Sequence, residues 1–373
     1  MPDTNCLKRS ITTCHPSLEE KSILLNIIWN TTINPKTSKT PALDIDPYLE
    51  YYAEQCHIFS LEQSGLSADG PSGFEISAHE DILQVVQRLA TEPQSRQDVV
   101  QSLKALRVHP SEKAESEKEC TGQDSAPNVD VINNAIDWAA RLLTMMDIGQ
   151  PHCAYSAQRP LSWEQGSLRA FVSNRLEPER QSAGGYVRLP KLFNARNLEL
   201  LAGIKVSWTN NLSDHLRLRD DDKEVLIFHH ATFLENGRTD IFPPGFCKET
   251  LRTLSLLLPA SDKDTAKWYK KYRSVEKLDR RAVKLPNLRT DDRQIENFHF
   301  WRERLAILKQ VFDEAEPSTL SQWWYDRRKG PQWYTFWVAV AVLVLTVFFG
   351  IVQSVEGAMQ VYRAYHPGGP EGH

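Results

Sequence analysis

The six cysteines, Cys6, Cys14, Cys56, Cys120, Cys153 and Cys247, include no CxxC pair. A disulfide framework or a zinc site needs paired spacings, so the pattern reads as reduced cytosolic thiols. There is no GxSxG turn, no GxxxxGKS/T loop and no GxGxxG fingerprint. The short signatures of a serine hydrolase, a P-loop nucleotide site and a dinucleotide site are therefore missing. Net charge is only −4, from 44 Lys and Arg against 48 Asp and Glu. No extended basic patch stands out along the chain, so nucleic acid is not an expected partner. The N-terminus has no apolar h-region. Its first apolar run, residues 23–29, is short and interrupted by Asn26, so a signal peptide is not expected. No internal repeat is visible, and no cofactor is implied.

The most informative absence is charge. Positions 330–355 contain no Asp, Glu, Lys or Arg. Twelve residues between Phe336 and Val352 are Val, Leu, Ile or Phe. At roughly −0.3 to −0.6 kcal/mol each on the insertion scale, they contribute about −4 to −7 kcal/mol toward membrane insertion. A helix of about 20 residues crosses a hydrocarbon core about 30 Å thick. The sequence thus predicts a transmembrane helix over 333–355, with the lipid bilayer as its partner. Trp323, Trp324, Trp333, Tyr334 and Trp337 form an aromatic belt at one end, and Arg327, Arg328 and Lys329 lie within it. This membrane-interface set suits headgroups, anionic ones included. Only Arg363 is basic on the far side. The positive-inside rule then puts the body in the cytosol. With 18 residues after Val355, the expectation is a tail-anchored, single-pass protein in an endomembrane or the mitochondrial outer membrane. Gly350, Ser354 and Ala358 make a small-residue stripe that would let two spans approach as a homodimer. The sequons at Asn30 and Asn211 would face the cytosol and stay unused.

The remaining sequence predicts a mostly α fold with a minor β element. Residues 1–43 are mixed and polar and read as disordered. Residues 44–109 read as a helical segment, with helices over 46–61, after the capping box at 77–80, and over 97–107. Residues 110–128 are a polar linker. The main cytosolic domain is 129–316. It should hold helices over 130–147, 162–173, 248–258, 265–272 and 292–314, and strands over 204–208 and 225–228. Residues 317–332 form the aromatic and basic juxtamembrane element, and 356–373 a short far-side tail.

Several strings resemble an uncharacterised family of filamentous-fungal membrane proteins with a C-terminal span. They are Phe242-Pro243-Pro244-Gly245-Phe246 with Glu249-Thr250-Leu251, then Trp301-Arg302-Glu303-Arg304-Leu305. The most specific is 312–317 running into 322–328 and the span. The resemblance covers residues 160–366. It implies a single-pass membrane protein and no particular activity.

Two functions fit these patterns. One is a membrane-tethered interaction or regulatory module. The other is a membrane-tethered enzyme using polar residues around His215 to His230, which a deep pocket joining Asp214, His215, His229 and Glu249 would favour. Adjacent histidines at a strand end are expected to point to opposite faces, so no metal is expected there.

Overall fold

The computed structural model describes residues 18–32, 43–66, 76, 78–91, 94–106, 129–149, 160–178, 187–316, 322, 324 and 330–366. They fall into two compact units, residues 1–199 with 204–314, and residues 200–203 with 315–373. The fold is mostly α with one small sheet, as the patterns predict.

The first unit opens with α1 (Leu18–Trp29), α2 (Asp46–Leu66), α3 (His79–Thr91), α4 (Arg96–Leu106) and α5 (Val129–Thr144). Helix α5 lies at the centre, and eleven of its residues from Val131 to Thr144 are buried. The Trp138 ring stacks on Phe59 at 4.3 Å. The hydroxyls of Tyr48 and Tyr51 donate to the carbonyls of Leu142 and Arg141. Those carbonyls belong to the last turn of α5, and Arg141 O also accepts the Met145 N–H at 2.8 Å.

Helix α1 corrects the expectation that residues 1–43 are disordered. Leu24, Leu25, Ile28 and Trp29 are buried and share one face at helical spacing. Each contributes about 1.5–3 kcal/mol by leaving water, so a single apolar face suffices despite the polar surroundings. Arg238, far away in sequence, closes two helices together. Its guanidinium donates to Ile28 O at 3.3 Å and Ala90 O at 3.0 Å, which are last-turn carbonyls of α1 and α3. The linker expected at 110–128 lies outside the described residues. The helices on either side of it share one core.

Helices α6 (Leu168–Arg175) and α7 (Ala195–Ala202) lead into the sheet. The helix expected over 162–173 starts later, because Ser167 is its N-cap and accepts from the Ala170 N–H. Strands β1 (Lys205–Thr209), β2 (Arg217–Arg219) and β3 (Glu224–Phe228) lie in the order β1-β3-β2. Strand β3 runs parallel to β1 and antiparallel to β2. Its buried Val225, Leu226, Ile227 and Phe228 make it the core strand. The acidic turn Asp220, Asp221 and Asp222 holds φ values of 53°, 50° and 65°, the left-handed conformation that Asp tolerates better than most residues. On the outer edge of β1, the Glu199 carboxylate accepts from the Val206 N–H. That contact blunts an edge otherwise open to pairing.

Helices α8 (Ala231–Asn236), α9 (Phe246–Leu257), α10 (Lys263–Glu276) and α11 (Arg302–Glu314) complete the unit. Gly245 at φ 90° starts α9 directly after two prolines, a conformation that needs glycine. The long helix expected over 292–314 is not continuous. Asp291–Arg293 and Ile295–Asn297 are 3-10 turns, and α11 begins only at Arg302.

In the second unit α12 spans Gly330–Tyr365. It runs ten residues beyond the expected 333–355 span, so 356–365 of the expected far-side tail is helical. Glu356, Ala358, Met359, Gln360 and Arg363 favour helix, and no proline interrupts before position 367. Residues 367–373 lie outside the described residues.

Candidate functional site

Glu249 on α9 accepts the backbone N–H groups of His299, Phe300 and Trp301 at 2.8, 2.7 and 3.0 Å. Those donors precede α11 and have no acceptor within it. A carboxylate there also complements the positive end of the helix dipole. This contact explains why the helix begins at Arg302. The Trp301 indole N–H donates to the Thr250 hydroxyl at 2.9 Å, and that hydroxyl donates to Phe246 O. The strings 242–251 and 301–305 therefore meet in the core.

His215 joins the same network. Its Nδ1 accepts the Phe228 N–H, which leaves Nε2 to carry the proton and donate to Thr253 Oγ1 at 2.7 Å. Thr253 passes the chain on to Thr250 O. The His215 ring meets Trp301 edge-on at 4.9 Å. Arg304 donates to the carbonyls of Ser213 and His215 and covers the Trp301 ring.

His229 and His230 follow β3. Their rings stack at 4.0 Å, which corrects the expected opposite orientation. Alternation holds only along a strand, and β3 has ended at Phe228. His229 Nδ1 accepts the Asp279 N–H, and His230 Nε2 donates to Asn210 Oδ1 at 2.7 Å. The Asp279 carboxylate accepts from the Thr232 N–H, the Thr232 hydroxyl and the Arg281 N–H.

These buried groups make stability depend on pH. Burial pushes His215 and His229 down to about 3, with Arg304 adding to the effect on His215. Burial and then His229 push His230 down as well. Burial pushes Asp279 up to about 7 against its hydrogen bonds. An unfolded histidine takes up a proton near pH 6.5, so acidification below that value favours unfolding. Asp279 acts in the opposite direction, because the folded form already holds its proton below pH 7. Three histidines outweigh one aspartate. From pH 7 to pH 5.5 we expect a net loss of about 1–2 kcal/mol, read as a lower urea midpoint. Asp279→Asn should deepen that loss. A midpoint that rises on acidification would refute this assignment of charges.

A separate polar cavity of about 290 Å³ opens between α2, α5 and the sheet. Tyr51, Glu54, Arg141, Asp147, Trp208 and Asp214 are among its lining residues. Burial raises the carboxyl pKa of both Glu54 and Asp147, and Asp214 adds to the effect on Asp147. Asp214 is bound by Asn211 at 3.1 Å, Arg217 at 3.3 Å and Arg219 at 3.8 Å.

The four residues of the catalytic alternative are thus engaged by the fold. Glu249 caps α11, His215 is held at both nitrogens, His229 accepts from Asp279, and Asp214 is paired. Of the four, Asp214 alone lines this cavity. Among the described residues no group of three or more His, Cys, Asp or Glu is placed to hold a metal ion.

The other predicted site residues belong to the second unit. Trp323, Arg327, Arg328 and Lys329 lie outside the described residues. Trp324 is exposed and meets Trp337 edge-on at 4.9 Å. Trp333 meets Tyr334 at 5.1 Å and Trp337 at 6.3 Å. Tyr362 stacks on His366 toward the other end. At 1.5 Å per residue, Trp333 and Tyr362 stand about 44 Å apart, the thickness of a bilayer with its headgroups. Gly350, Ser354 and Ala358 are exposed. The Ser354 hydroxyl is turned back to Gly350 O at 2.8 Å, as Thr346 is to Val342 O. The serine hydroxyl of the stripe is therefore spent within its own helix. Comparisons of the chain with family models, curated proteins and solved structures gave no match.

Proposed function

We propose that this protein is a membrane-tethered binding module, with α12 as the tether and the first unit as a body held at the bilayer surface. One observation carries the reading. The segment Trp333–Tyr365 is a continuous helix whose most apolar 18 residues have a mean hydropathy of 2.6, and none of that stretch is buried against protein. A core helix would be covered. Water would oppose so large a contiguous apolar surface, whereas lipid accepts it. Within the helix, Thr335, Thr346 and Ser354 each donate to the carbonyl four residues back, so these polar groups enter lipid already bonded. The resemblance to fungal single-pass proteins agrees with the reading. The basic residues 327–329, set against Arg363, favour a cytosolic body. The body offers a polar cavity and charged faces for binding, and the residues of the catalytic alternative are committed to structure.

Removing the tether tests the proposal. Full-length protein should stay with membranes through carbonate extraction, and a chain ending at Lys329 should move to the supernatant. A shortened chain that still pellets with membranes would show that attachment lies elsewhere.

A further inference from the structure

We propose that the outer face of α10 is a docking surface for the anionic headgroups of a lipid bilayer. Helix α10 buries Thr265 and Tyr269. Its opposite side carries Lys263, Lys267, Lys270 and Lys271, all exposed. At 3.6 residues per turn these four fall within an arc of about 100°. Among the described residues no side chain pairs with any of them. Asp264 borders the face, and Lys277, just past its end, is taken by Glu50 at 2.8 Å.

Such a face works against the helix that bears it. Lys263 with Lys267, and Lys267 with Lys271, are like charges four residues apart, and Lys267 with Lys270 three apart. Each such pair destabilises a helix. The chain as a whole is acidic, at −4, so the stripe is not a general surplus of lysine. The sequence hides it, because acidic and aromatic residues interleave with the lysines and only the helix sorts them apart.

A bilayer fits this charge better than nucleic acid does. The two half-buried rings of α10 do not face outward as a platform for bases. Trp268 and Tyr272 turn to Glu199, donating at 2.8 and 2.9 Å. Val275, 79% exposed, adds an apolar side chain beside the lysines. The inference rests on the membrane-tethered reading. Anionic headgroups attract lysines that come within a Debye length, about 8 Å at physiological salt.

The test is lysine footprinting by acylation and mass spectrometry on the full chain in nanodiscs. One set of discs is pure phosphatidylcholine, and the other contains about 30% phosphatidylserine. Lys263, Lys267, Lys270 and Lys271 should be modified about threefold more slowly in the anionic discs, and the contrast should vanish near 0.5 M salt, where the Debye length is about 4 Å. Lys191 and Lys223, exposed elsewhere, should be unaffected. Equal rates in both discs would overturn the proposal. So would protection that appears only when an oligonucleotide is added. Whether the chain enters discs of either composition reports the tether separately. If it enters neither, the tether reading falls, and anionic vesicles added to the same chain still read the lysine face.

Discussion

Glu249→Ala is expected to lower the stability of the body by about 3–6 kcal/mol. The carboxylate accepts three backbone N–H groups at the start of α11. Leaving a buried donor unpaired costs about 1–3 kcal/mol, and three would be stranded together. Water entry would offset part of that loss, which sets the lower figure. Glu249→Gln keeps one carbonyl acceptor and should lose about half as much. The measurement is the urea midpoint followed by near-UV circular dichroism, where the alanine variant should shift by about 1–2 M. A shift within error would show that these N–H groups find other acceptors, and the account of where α11 begins would fail.

Trp301→Ala should cost about 3–5 kcal/mol, the usual range for deleting a large buried ring. The ring is 3% exposed. It packs against Phe246 at 5.5 Å and His215 at 4.9 Å, under Arg304. Trp301→Phe keeps much of the packing and removes the N–H bond to Thr250, so about 1 kcal/mol is expected. The gap between the two variants separates packing from hydrogen bonding. Because Glu249 fixes the backbone that carries the Trp301 ring, losing either should loosen the packing of the other, so the Glu249→Ala and Trp301→Ala effects should not add and the double variant should lose less than their sum. An unchanged midpoint in Trp301→Ala would mean that the ring lies on a surface and not in the core.

Several elements were legible because their signals are local. The apolar helix was read from missing charge over 330–355. The β3 strand was read from Val225, Leu226, Ile227 and Phe228 in succession, and the start of α9 from Pro243, Pro244 and Gly245. Strand β2 was missed. Arg217-Leu218-Arg219 has one apolar residue and no alternation long enough to register, and it is a strand only because β3 lies beside it. Helix α1 was missed because its apolar residues, 23–25 and 27–29, run almost unbroken and show little helical alternation.

The sites divide in the same way. The sequence alone determined that α12 is apolar enough to span a bilayer and that its Trp and Tyr residues gather toward its ends. Hydropathy sums over neighbouring residues and needs no partner. Tertiary structure decided the rest. It broke the periodic stretch 292–314 at Arg302, because Glu249 arrives from another helix to bind the donors there. It stacked His229 on His230, because the strand had already ended. It engaged His215 at both nitrogens, and it left the lysine side of α10 facing outward by burying Thr265 and Tyr269 on the other side. Each of these depends on a group distant in sequence or on the rotation of a helix, so no reading of neighbours along the chain could have supplied it.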